Sequence, residues 1–229
     1  MSQTNCNVSL LAYTPEPEAL ICLAARRCRS DKATLDIDTD GAERVIKRVI
    51  EAGHLSVLEH VNFTFAVDGI SRVCLAQLTR HRIASFSVQS QRCNIVSDYV
   101  APRGLVCLGV DRDIRCYKEE LDAGFEHEDA RYLLPQAVAT SLVMTMNARA
   151  LLHFFELRCC RKAQWEIREL ANQMLKLVKP IAPNIFKNAG AFCCQHGYCR
   201  ETAPCGKMNV PHKDFLFELY RFWERERQK

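Results

Sequence analysis

Residues 79–93 read TRHRIASFSVQSQRC. Arg80, His81 and Arg82 stand in a row, Ser85, Ser87, Gln89, Ser90 and Gln91 follow, and Arg92 nearly closes the stretch. An arginine presents a planar fork of donors that matches phosphate oxygens in pairs, and it stays charged at any working pH. Hydroxyls and backbone N–H groups of a polar turn can hold the remaining phosphate oxygens. The imidazole of His81 can hydrogen-bond or stack on a ring. Such a segment suits a phosphate-rich ligand or a nucleic acid. Taken alone, an Arg-His-Arg triplet is more often a solvated basic turn.

Composition narrows the choice. A chain of 229 residues with 48% hydrophobic content can build one full core. No run of eighteen apolar residues is present, so no membrane span is expected. The start, MSQTNCNVSLLAYTPEPEAL, lacks a basic region leading into a long apolar segment, so no secretory leader is expected. With thirteen cysteines, this points to reduced thiols in a cytoplasm, not to a disulfide scaffold. A net charge of only +4 is too mild for the whole chain to act as a polyanion binder. Any basic site must be local: from Arg72 to Arg103 five arginines and His81 face a single acid, Asp98.

The elements that must position these groups are partly visible. VNFTFAV alternates Val61, Phe63, Phe65 and Val67 with Asn62, Thr64 and Ala66, which predicts a half-buried strand, and Asp68-Gly69 is expected to turn the chain after it. GAERVIKRVIEAG spaces Val45, Ile46, Val49 and Ile50 as a helix that stops at Gly53. SRVCLAQLTRH predicts a helix delivering Arg80 at its end. The longest helical signal runs from about Asp129 to Arg158, with Pro135 as a kink or start. Another runs from Lys162 to Val178 and stops at Pro180, and HKDFLFELYRFWERER is a last amphipathic stretch. One α/β (α+β) domain over residues 1–229 is the expected architecture.

Arg-His-Arg, seven residues, then Ser resembles the signature of the flavin-dependent thymidylate synthases. GHLSVLEHVNFTF upstream, and ARYLLP, MNARALLHFFELR and AQWEI downstream, resemble that family's other blocks in the same order. The resemblance spans roughly residues 42–187. It implies a single domain with a mostly antiparallel sheet flanked by long helices. It also implies methylation of dUMP to dTMP with FAD as cofactor and with NADPH and 5,10-methylenetetrahydrofolate as co-substrates. A cytoplasmic homotetramer with shared sites is expected, with no nucleic acid and no membrane as partner.

Carried over by position, the resemblance assigns Arg158 the central catalytic role, beside the uracil ring. FAD contacts fall to His54, Ser56, Arg80, His81, Arg82, Val88, Asn147, Ala148, Arg149 and His153. Contacts to dUMP fall to Gln77, Leu78, Thr79, Arg80, Val88, Gln89, Ser90, Gln91, Arg92, Arg131 and Arg158, with Gln77 reaching in from a neighbouring subunit. Ser90 has no evident base and reads as a ligand-binding hydroxyl. Three departures stand out: Val88 where relatives carry Glu or Gln, Cys93 where an aromatic is common, and His153 where Asn is frequent. Helix arithmetic puts Asn147, Leu151 and Arg158 on one face and His153 off it.

Cys193, Cys194, His196, Cys199 and Cys205 fall within thirteen residues. They could form a tetrahedral zinc site or a thiol-rich loop, and no metal ligand is assigned. A second function remains open, a nucleic-acid binder with Arg80–Arg92 on phosphates and this tail as a zinc module. The folate enzyme with a cysteine nucleophile is disfavoured, because no cysteine sits in a Pro-Cys-His setting.

Overall fold

Alternation along VNFTFAV foretells a strand, and that strand is the spine of the sheet. The computed structural model describes residues 3–102 and 108–207. Strand β2 (Asn62–Ser71) pairs antiparallel with β1 (Asn7–Tyr13) on one side and with β4 (Ala139–Asn147) on the other. Strand β3 (Ser85–Val88) adds to the free side of β4, so the order is β1-β2-β4-β3. Phe63, Phe65 and Val67 face Met146, Met144 and Leu142 across the β2–β4 ladder, and all six are buried. Helices α6 (Ala148–Arg158) and α7 (Trp165–Val178) add Leu151, Phe154, Phe155, Ile167, Leu170 and Met174 to that core. The opposite face carries Thr64 and Thr145, hydroxyl to hydroxyl at 2.9 Å, with Ser85, Ser87 and Val143 beside them. Val143 is 42% exposed, so this face is polar and open among the described residues.

Short helices connect and flank the sheet. These are α1 (Pro17–Arg27), α2 (Ala42–Glu51), α3 (Arg72–Leu78), α4 (Leu108–Asp122), α5 (His127–Ala130) and α8 (Phe192–His196). Helix α2 stops where expected: Gly53 follows its last turn at φ 72°. Side-chain caps set three starts. Ser71 accepts from the Cys74 N–H at the head of α3, Asn147 from the Ala150 N–H at the head of α6, and Gln164 from the Glu166 and Ile167 N–H groups at the head of α7. Helix α7 therefore begins at Trp165, three residues past the expected Lys162, and ends at Val178 as its pattern predicts.

Two expectations fail. The long helix from Asp129 to Arg158 is in fact α5, a 3₁₀ turn over Arg131–Leu133, strand β4 and only then α6. ATSLVMTMN buries Thr140, Leu142, Met144 and Met146 in strict alternation, and this period of two outweighs the helical propensity of Leu and Met. Arg131 thus sits in a 3₁₀ turn and not at a helix start, and Asn147 caps a helix instead of lying within one. Asp68-Gly69 does not turn the chain either. Strand β2 runs through it to Ser71, with a register shift between Val67 and Ile70 that marks a bulge. Strand β1 and helices α1 and α4 went unread, and HKDFLFELYRFWERER lies outside the described residues.

At the bulge Gly69 adopts φ 68°, and a Cβ there would lie 2.5 Å from the Asn5 carbonyl oxygen. Gly69→Ala should destabilise the fold by at least about 1–2 kcal/mol, read as a lower denaturant midpoint.

Candidate active site

Helix α3 ends at Leu78, and the chain turns directly into Thr79, Arg80 and His81. The Arg158 Nε–H donates to His81 Nε2 at 2.9 Å, and one terminal nitrogen of Arg158 lies 3.5 Å from the Gln77 carbonyl. Because Nε2 accepts that bond, it carries a lone pair, and the His81 proton sits on Nδ1. The His81 ring packs edge-on against Phe154 at 4.9 Å and lies 6.3 Å from the His153 ring. His153, off the stripe by helix arithmetic, therefore joins the same cluster. Burial first, then the charges of Arg158 and His153, push the His81 pKa down to about 4. Burial also lowers the Arg158 pKa, and Arg80 adds like-charge repulsion. Arg158 remains charged regardless.

A second cluster stands at the other end of α3. The Arg72 N–H bonds the Val138 carbonyl, and burial together with the charge of Arg131 lowers the Arg72 pKa. Arg131 Nε–H donates to the Glu128 carbonyl at 3.0 Å, and Glu128 Oε2 meets Arg92 at 2.7 Å. Arg92 and Glu128 are both at least half exposed, so their pairing is worth roughly 0–1 kcal/mol and a dianionic ligand can displace it. Ser90 accepts from the Arg92 N–H at 3.2 Å, and its carbonyl accepts from Asn94 at 2.9 Å, a tight polar turn with no base on the hydroxyl. Gln89 extends the β3–β4 ladder by its N–H to the Ser141 carbonyl, and Gln91 lies within the turn. Among the described residues Arg80, Arg82, Arg131 and Arg158 have no carboxylate within ion-pair distance.

The remaining sequence-predicted residues fall into three groups. Leu78 and Ala148 are fully buried, and the partly buried Val88 packs against the core. Thr79 is exposed but its hydroxyl donates to the Leu75 carbonyl at 3.0 Å. Asn147 spends its side-chain oxygen on the α6 cap, which leaves its amide N–H groups to meet a ligand. Arg149 pairs with Glu59, and with His153 it lines a cavity of about 800 Å³. His54 and Ser56 line a different cavity of about 930 Å³, beside Arg29, Lys32, Arg44 and Arg48. That basic wall, built by α2 and the loop before it, was missed in the sequence because its residues are spread over twenty positions. Glu59, Glu128 and Glu156 were missed too; Glu156 bonds Arg200 at 2.9 Å and lies 3.9 Å from both His153 and His196.

Among the described residues no group of three or more His, Cys, Asp or Glu side chains converges to hold a metal ion. Cys193 and Cys199 are buried, Cys194 is exposed, and Cys205 is half-buried. Burial, with the neighbouring Cys194 adding to it, raises the Cys193 pKa. His196 stacks on Phe192 at 4.3 Å, and the Arg200 guanidinium lies over that ring at 4.7 Å.

Residues 9–184 match the family model described as "Thymidylate synthase complementing protein". The flavin-dependent thymidylate synthase of Geobacter sulfurreducens is 43% identical over 218 residues, covering 87% of this chain and 94% of that protein. The one from Pyrococcus abyssi is 40% identical over 227 residues, covering 87% and 92%. The chain belongs to the flavin-dependent thymidylate synthase family. A solved structure of the UMP/dUMP methylase PolB from Streptomyces cacaoi, bound with 5-Br dUMP, superposes with a TM-score of 0.72 at 26% identity, over 82% of this chain and 97% of that one. The family match takes in both ends of α3 and all of α6, whereas the cysteine-rich tail lies beyond it.

Protonating His81 would destroy its acceptor for Arg158. A base whose pKa falls from 6.5 to about 4 on folding leaves the unfolded chain binding more protons between those values, so stability is lost as pH drops through that window. A ring resonance that titrates near 4 and disappears in His81→Asn is the expected NMR result. The variant should also lose less stability than the parent between pH 6.5 and 4.

Proposed function

We propose that the chain catalyses the reductive methylation of dUMP to dTMP, with FAD as cofactor, 5,10-methylenetetrahydrofolate as carbon donor and NADPH as reductant. The observation that supports it most is the set of arginines at the two ends of α3 that lack internal counter-charges. Like charges held this close repel until an anion arrives, and a nucleotide phosphate together with the diphosphate of FAD brings several. The donor set fits FAD: Arg80, Arg82 and Arg149 are exposed cations, His81 and His153 are aromatic neighbours, and His54 and Ser56 border the basic cavity. When bound, the flavin supplies the redox chemistry, carrying reducing equivalents from NADPH.

The protein's part is positioning and charge. His81 holds Nε of Arg158, Gln77 holds one terminal nitrogen, and the remaining N–H groups of the guanidinium are free to face a uracil ring. A fixed positive group beside N3 and O4 lowers the cost of negative charge on the ring and makes C5 nucleophilic without a thiol adduct. Ser90, Gln91 and Arg92 form the turn for the nucleotide phosphate, with Arg131 at its side. Val88 contributes only backbone, as the absence of a polar side chain there requires.

We also assign a homotetramer with sites shared between subunits. Arg158 and Arg80 stand at one end of α3 and Arg92 and Arg131 at the other, while the Ser85–Ser87 face of the sheet is open for a partner. The twelve cysteines among the described residues are all free, in keeping with a cytoplasmic setting. No helix among the described residues is long and apolar enough to cross a membrane.

Purified protein should absorb near about 450 nm and bind dUMP in preference to oligonucleotides. Colourless protein with strongly salt-dependent affinity for any nucleic acid would favour the binding-protein alternative. Arg158→Ala should cut dTMP formation by about 100-fold or more while keeping the flavin, and near-normal turnover would remove its assigned role. Arg92→Ala should raise the KM for dUMP by about tenfold with flavin retained. Co-expressing the two variants should restore activity at low dUMP that neither shows alone; no recovery means that each site lies within one chain.

A further inference from the structure

Among the described residues the core holds one carboxylate, and the proposed chemistry does not use it. Glu166, in the first turn of α7, is 2% exposed, and Ser71 at the head of α3 is 3% exposed. Glu166 Oε1 accepts the Ser71 N–H and Oε2 accepts the Ser71 hydroxyl, both at 2.6 Å. That hydroxyl in turn accepts the Cys74 N–H at 3.0 Å. Among the described residues no Lys, Arg or His lies within ion-pair distance of Glu166. A buried charge without a cation is costly. Two short charge-assisted hydrogen bonds and the positive ends of two helices, α3 and α7, are what offset that cost here.

A serine cap alone would start α3, so the cap does not explain the carboxylate. What the carboxylate adds is a two-point hold from a different helix. A single hydrogen bond leaves a helix free to rotate about it, whereas a pair to the N–H and the hydroxyl of one residue fixes both rotation and axial position. The far end of α3 carries the Gln77 carbonyl that meets Arg158, and it leads into Arg80 and His81. We propose that Glu166 and Ser71 form a positioning pair that sets where α3 presents Gln77, Arg80 and His81, and through them the Arg158 guanidinium, to the nucleotide. This rests on dUMP being the ligand. The pair touches no substrate and acts only through α3.

Glu166→Gln tests it with almost no change of shape. The amide keeps one acceptor oxygen and replaces the other with an NH₂ that can only donate. With its oxygen on the Ser71 N–H, its NH₂ meets a hydroxyl that already accepts from Cys74, and the hydroxyl proton loses its partner. Ser71→Ala removes the hydroxyl but keeps the backbone bond to the carboxylate. Calorimetric dUMP binding, kcat, KM and flavin content are compared with the parent. Glu166→Gln is expected to keep its flavin while the dUMP dissociation constant rises and kcat falls, each by roughly tenfold, and Ser71→Ala to shift both the same way by less. If Glu166→Gln does not fold, Ser71→Ala decides alone. Variants that melt at a lower temperature yet bind and turn over dUMP within about twofold of the parent would overturn the positioning role. A parent chain that binds no dUMP would instead overturn the functional reading, and this pair's role with it.

Discussion

Two hydrogen bonds from Ser71 to the Glu166 carboxylate fix one end of α3, and the contact of Arg158 with the Gln77 carbonyl and His81 secures the other. Four cationic groups of the candidate site, Arg72, Arg80, Arg131 and Arg158, are referred to this seven-residue helix. Arg72 and Arg131 stand at its start, and Arg80 and Arg158 gather past its end. So short a helix has little stability of its own, and its place comes from what holds it. Strand β2 feeds straight into it through Ser71, and α7 supplies the carboxylate, so the sheet and the helical layer meet at the head of α3.

Charge at the site is arranged against the protein's own interest. Some exposed arginines elsewhere find carboxylates, as Arg112 does on Asp113 and Arg200 on Glu156, whereas among the described residues Arg29, Arg44 and Arg48 beside the larger cavity do not. At the ends of α3 most do not, and Arg80 raises the cost of Arg158 while Arg131 raises that of Arg72. His81 reconciles part of this. Held neutral by burial and by its cationic neighbours, it can accept the Arg158 Nε–H, where a charged imidazole would repel it. A cationic site that stays unneutralised within the chain is prepared for an anion, which ties the local electrostatics to the family's nucleotide chemistry.

The cysteine-rich tail follows another logic. Its ring stack of Phe192, His196 and Arg200 docks on α6 through Glu156, next to His153. The buried thiols behave as small apolar groups, and burial first, then Cys194, push the neighbouring Cys159 pKa up to about 12. Among the described residues, clustering of these side chains in sequence does not bring three or more of them together as metal ligands.

Local pattern sufficed wherever one period dominated: VNFTFAV as a strand, GAERVIKRVIEAG as a helix ending at Gly53, and the stretch through α7 to Val178. It misled at ATSLVMTMN, where Leu and Met suit either period and pairing with β2 decided for the strand. The arginine-rich motif and its order relative to the later blocks carry the resemblance to the family, because such motifs are built from neighbours in the chain, and the family match confirms it. The Arg158–His81 bond, the neutral imidazole, the Arg92–Glu128 pair and the Glu166–Ser71 hold join residues from 36 to 95 positions apart. No local signal encodes them. They exist only once the sheet has fixed the distance between its helices, and burial then sets the strength of each contact.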